Sequence, residues 1–188
     1  MSVIFGGTVN SILEQYSIHY KGLRLGKHHF SFEIDDSFFE NYSEGEIQRG
    51  KVNVAVELEK HTSMLEFRIN ITGMVEVMCD RCLEPFLLPI VFKGDLFVKF
   101  SETEYENSDE VWYVGSNEYK VNLAQYIYES ISLSLPIQRY HGIAGTRESD
   151  CDSVMLNRLS VSNGKPHKSP AFVGTDPRWE KLRDFQIE

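Results

Sequence analysis

Cys79-Asp-Arg-Cys82 is the stretch of this chain whose residue types and spacing most directly suggest chemistry. Two thiolates separated by two residues can curl around one metal ion, because a tight turn brings both sulfurs to one point. The same spacing serves thiol redox chemistry when the pair opens a helix, whose dipole lowers a thiol pKa. Here the residues after Cys82 are Leu-Glu-Pro-Phe-Leu-Leu-Pro, and Pro89 argues against a sustained helix. A third reading treats the thiols as small buried hydrophobes, since Cys79 continues the apolar face of the segment before it. Three cysteines are too few, and odd in number, for a disulfide framework.

Tetrahedral closure around a metal needs two more ligands. His141 and Cys151 are the candidates, lying where the chain could return toward the pair. Cys79, Cys82, His141 and Cys151 would make a three-thiolate, one-imidazole set, which is a structural zinc type. That set uses every cysteine in the chain, although the interval from His141 to Cys151 is looser than in a usual zinc finger.

Other arrangements point to less. No Gly-rich stretch has the pattern of a phosphate loop. His28 and His29 are neighbours on a strand pattern, so they face opposite ways and read as surface histidines. Ser101 to Glu110 carries five carboxylates and no cation, which reads as a solvated acidic loop. Arg139-Tyr140 and Arg178-Trp179 are the neighbours that resemble a basic-aromatic strip for single-stranded RNA. The formal net charge of −9 speaks against broad nucleic-acid binding and for a basic partner met by complementary steering.

The elements that must position the cysteines are strands. Val52, Val54, Val56 and Leu58 alternate with largely polar residues, and Leu65 to Cys79 holds period two, with Gly73 marking a bulge or bend. A short connection at His61 to Ser63 predicts an antiparallel hairpin between them. Ile90 to Phe100 predicts a further strand, as do Phe30, Phe32 and Ile34. Asp35 is expected to cap a helical turn. Val111 to Val114 and Glu118 to Val121 predict a late hairpin across Gly115-Ser-Asn. Asn122, with Gln125 three residues on, predicts the start of the main helix, whose stripe is Leu123, Tyr126, Ile127, Ser130 and Ile131, with Pro136 closing it.

The fold expected is α+β: an antiparallel β-sheet or partly open barrel, one main helix and a flexible C-terminal arm. Residues 15–140 form the β-rich domain with its packed helix, and 141–188 the arm, which ends in a short helix opened by Asp176-Pro and striped by Trp179, Leu182 and Phe185. No apolar run is long enough for a membrane helix, and the N-terminus does not read as a signal peptide, so a cytoplasmic location is expected.

VEVMCDRCLEPFLLPI, the downstream NLAQYIYESISLSLPI, and the His and Cys beyond it resemble the YceD family of large ribosomal RNA subunit accumulation proteins. The closing TDPRWEKLRDF looks like that family's C-terminal element, especially as found in Bacteroides-like bacteria, so the likeness covers about residues 15 to 188. Cys79, Arg81 and Cys82 match the central motif, and Pro136, His141 and Cys151 match later elements. The resemblance implies a non-enzymatic factor in synthesis, processing or stability of large-subunit (23S) ribosomal RNA. It supplies no catalytic residues and implies no small-molecule substrate. The implied partner is a large-subunit ribosomal protein or ribosomal RNA, and members often lie beside the gene for a small zinc-ribbon protein of that subunit. Two alternatives stay open: a direct RNA-binding module and a thiol redox protein.

Overall fold

Period-two alternation builds the architecture of the computed structural model, which describes residues 11–42, 45–101, 106–115 and 117–163. β3 (Gly50–Lys60), β4 (Met64–Met78) and β5 (Pro85–Phe100) form an antiparallel meander, with β2 (Gly26–Ile34) paired to the outer side of β3. The register sets apolar residues in rows across the sheet: Phe32, Val54, Ile71 and Phe92 in one, Leu58, Phe67 and Leu96 in another. Val52, Val54, Val56 and Leu58 are at most 1% exposed, as are Leu65, Phe67, Ile69 and Ile71. Each such side chain contributes roughly 1.5–3 kcal/mol of transfer free energy.

Among the described residues, one face of the sheet is covered and the other is not. On the covered face sit α2 (Asp36–Phe39), α3 (Ala124–Leu133) and a two-stranded sheet of β1 (Ser17–His19) and β7 (Lys120–Asn122), which bring Phe38, Phe39, Ile127, Ile131, Ile18 and Val121 into the core. The short helix α1 (Ser11–Glu14) precedes β1. Asp35 Oδ1 accepts from the Ser37 N–H at 3.0 Å and caps α2 as expected. The predicted stripe of α3 is buried in full. Met74, Met78, Leu87 and Val91 lie on the open face.

The fold is thus mixed α+β with mostly antiparallel pairing and no closed barrel. Four local expectations change. The late hairpin does not form: β6 (Val111–Val114) adds to β5 in parallel, while β7 pairs with β1, whose three residues are too few to show a pattern. β5 begins at Pro85, earlier than Ile90. Its two prolines are tolerated because β6 pairs only with Phe97–Phe100, so the missing N–H groups fall on a stretch with no second strand partner among the described residues. Gly73 makes no bulge, since register runs unbroken through Val52↔Gly73↔Ile90. A Cβ there would stand 2.3 Å from the Lys51 carbonyl oxygen, so the glycine permits a close backbone approach. Finally, Asn122 Oδ1 accepts from the Ala124 N–H at 2.8 Å, but Gln125 donates along the helix to Glu129 and closes no capping box.

The chain divides into two compact units, 1–152 and 153–188. The second opens with α4 (Ser153–Asn163), which composition had concealed. The expected terminal helix with Trp179, Leu182 and Phe185 lies outside the described residues. Among those described, no helix is long and apolar enough to cross a membrane.

Candidate metal centre

β4 delivers Cys79 to the end of the sheet, and the chain must reverse there to start β5. It does so in a tight turn: the Leu83 N–H donates to the Cys79 carbonyl at 2.9 Å, and the Cys79 N–H to the Glu84 carbonyl at 3.0 Å. Leu83 takes φ 63°, a left-handed conformation that costs a non-glycine residue about 1–2 kcal/mol. The turn aims the backbone N–H groups of Cys82 and Arg81 at the Cys79 sulfur.

The other two candidates arrive from the segment after α3. Asp80 fastens that segment to the turn twice: its N–H donates to the Arg139 carbonyl, and its Oδ2 accepts from the Arg139 N–H, both at 2.6 Å. Arg139 also donates to Glu46 at 2.7 Å. Two residues on, His141 packs against Phe86, ring centroids 4.6 Å apart. The long interval to Cys151 is then folded short. Gly142, Ala144 and Gly145 all have positive φ, Thr146 Oγ1 accepts from the Gly142 N–H, and a 3-10 turn at Glu148–Asp150 presents Cys151. The spacing that looked loose in sequence is taken up by these reversals.

All four side chains meet. Cys79, Cys82, His141 and Cys151 are 0%, 4%, 5% and 6% exposed, and their ligand atoms lie within 4.8 Å of one another. Cys79 Sγ is 4.0 Å from Cys151 Sγ, and Cys82 Sγ is 3.6 Å from His141 Nδ1. Together they form a buried group that could hold one metal ion.

The electrostatics of the thiols agree with such a role. Burial pushes the Cys79 thiol up, but the Cys82, Arg81 and His141 backbone N–H groups outweigh it and bring Cys79 down to about 6. Cys151 is pushed up to about 12, first by burial and then by the neighbouring Cys82 and Cys79 sulfurs. One thiolate is therefore welcome here, whereas a second is opposed by repulsion that a bound cation would reverse.

Several residues around the centre gave little sequence signal. The Arg81 guanidinium lies 3.8 Å over the Tyr140 ring and pairs with Glu148 at 3.4 Å, tying the turn to both halves of the returning segment. Arg139-Tyr140, noted as a basic-aromatic neighbour, is thereby engaged within the chain, while Arg178-Trp179 lies outside the described residues. Only the position of Asp80 and Arg81 between the thiols hinted at their use.

A second cluster, Glu59, His61 and Glu66, lies at the sheet surface. Arg68 already pairs there with Glu66 at 2.7 Å and Glu57 at 3.0 Å, an exposed ion-pair network of small energetic weight.

Neither the curated proteins nor the solved structures give a match to this chain. A family profile described as large ribosomal RNA subunit accumulation protein YceD matches residues 67–186. Its span covers most of the chain, including β4 from Phe67 on, β5, α3 and all four clustered side chains, and this protein belongs to the YceD family.

Proposed function

We propose that this protein is a non-enzymatic factor that supports synthesis, processing or stability of large-subunit (23S) ribosomal RNA. It acts through contacts with a large-subunit ribosomal protein, and zinc held by Cys79, Cys82, His141 and Cys151 fixes its fold at one end. The family match supports the ribosomal setting. The observation that carries the zinc reading is the near-complete burial of all four donors at coordination spacing.

The donor set fits the ion. Zinc at about 2.3 Å from sulfur and about 2.0–2.1 Å from imidazole nitrogen, in a tetrahedron, places sulfurs about 3.8 Å apart and sulfur and nitrogen about 3.5 Å apart. The 4.0 Å and 3.6 Å separations are close to both. Bound zinc would supply a cross-link between the turn after β4 and the segment after α3. Four protein ligands fill a tetrahedron, so no position remains for water or substrate, which is the mark of a structural site. Buried thiols are likewise poorly placed for the redox alternative, which needs an accessible thiolate.

The acidic balance of the chain favours a basic protein over RNA as the direct partner. Acidic groups would screen a cationic ribosomal protein until RNA competes it away. Tagging the protein in its host and identifying co-purifying protein and RNA tests this reading. Large-subunit precursors or a basic large-subunit protein are expected. Recovery of bare ribosomal RNA with no ribosomal protein would favour the direct RNA-binding module instead.

A further inference from the structure

Where α3 crosses β5, the covered face of the sheet is left partly open. Phe92 and Gly94 stand in the inward row between buried Ile90 and Leu96, yet both are only half-buried. Gly94 lets the Phe92 ring and the Tyr126 hydroxyl close over the strand: a Cβ there would lie 2.8 Å from the Phe92 ring and 2.9 Å from the Tyr126 hydroxyl. Beside these rings is a cavity of about 680 Å³ between β5 and α3. Phe92 and Tyr126, edge to face with centroids 6.5 Å apart, and Tyr128 give the cavity an aromatic side.

Its rim is acidic. Asp109, Glu110 and Glu129 are exposed around the opening, while the Lys93 and Asp95 side chains alternate to the other face of the sheet. Among the described residues none of these three carboxylates has an ion-pair partner, although Glu129 accepts a hydrogen bond from Gln125 at 2.6 Å. Some carboxylates elsewhere are matched, Glu57 with Lys27, Glu66 with Arg68 and Glu46 with Arg139. Three carboxylates together, with no ion pair among the described residues and beside an aromatic wall, are the complement of a long cationic side chain. Its methylene stem would lie on the rings while its charged head meets the carboxylates and the ring faces.

We infer that this groove docks a Lys- or Arg-bearing segment of a basic protein, which rests on the proposed assembly role and names the surface that carries it. A nucleic-acid backbone is disfavoured at the same place, because phosphates would face the carboxylates.

The test uses the full chain and a fluorescein-labelled peptide of alternating Lys, Arg and Gly, read by fluorescence anisotropy at low and moderate salt. A polyuridine oligonucleotide and an acidic peptide of equal length serve as competing probes. One variant removes rim charge (Asp109→Asn, Glu110→Gln, Glu129→Gln). A second removes equal charge at exposed positions elsewhere (Glu33→Gln, Glu40→Gln, Glu118→Gln). The basic peptide should bind the parent protein, weaken by about tenfold on the rim variant and less than about twofold on the distant one. Equal losses in both variants would mean that only bulk charge is sensed, and would overturn the groove. So would binding of the oligonucleotide in place of the peptide. The assembly role is judged separately by co-purification. If the tagged parent and the tagged rim variant both recover large-subunit precursors equally, the groove fails and the role stands. If the parent recovers none while peptide binding still depends on the rim, the role fails and the groove stands.

Discussion

The sheet and the cysteine-histidine end hold together by different means. In the sheet, Val52, Val54, Val56 and Leu58 of β3 and Leu65, Phe67, Ile69 and Ile71 of β4 form rows that are at most 1% exposed, so each residue is fixed by many weak apolar contacts. At the other end, two irregular segments separated by more than fifty residues in sequence are joined by a few strong, directional links. These are the Asp80–Arg139 pair of hydrogen bonds, Arg81 over Tyr140, and four donor atoms pointing at one spot. A core of the first kind loses stability in proportion to what is removed. A junction of the second kind depends on few components, and the ion proposed among these four donors would be the chief one.

This contrast can be broken or sharpened by substitution. The largest effect is expected from Phe67→Ala in the first half of β4, a fully buried side chain whose truncation costs about 3–5 kcal/mol. The urea midpoint should fall by the same amount in metal-loaded and chelated protein. A loss seen only after chelation would mean that sheet and junction are one cooperative unit. Next comes Gly73→Ala, which drives a methyl against the Lys51 carbonyl and Val52 Cα. Such overpacking costs about 1–3 kcal/mol, and metal content measured by mass spectrometry should stay at the parent value. The smallest effect belongs to Arg81→Ala. Loss of a partly exposed cation–π contact should cost about 0.5–1 kcal/mol. It should act on the junction alone, read as faster metal release to a chromogenic chelator with hydrogen exchange in β3 and β4 unchanged.

The same contrast explains what could be read from the sequence. β2, β3, β4 and α3 were legible because burial repeats locally, every second residue in Leu65 to Val77 and along one stripe in Leu123 to Ile131. β6 and β7 were legible as strand segments but not in their pairing, since four and three residues carry little period and nothing local names β5 and β1 as their partners. The four donor residues were legible by type, though no local pattern shows how His141 and Cys151 reach the pair. That depends on positive φ at Gly142, Ala144 and Gly145 and on the hold of Asp80 on Arg139. A Ser-, Gly- and Asn-rich segment reads as unordered by composition, yet residues 141–151 are ordered by what they pack against.

Metal analysis of the full chain, purified without chelator and compared with Cys151→Ser, tests the central claim most directly. The parent should carry about one zinc per chain, with its three thiols unreactive until the metal is removed, and Cys151→Ser should retain far less. A metal-free parent whose urea stability is unchanged by added zinc would contradict the claim, leaving Cys79, Cys82 and Cys151 as buried thiols only.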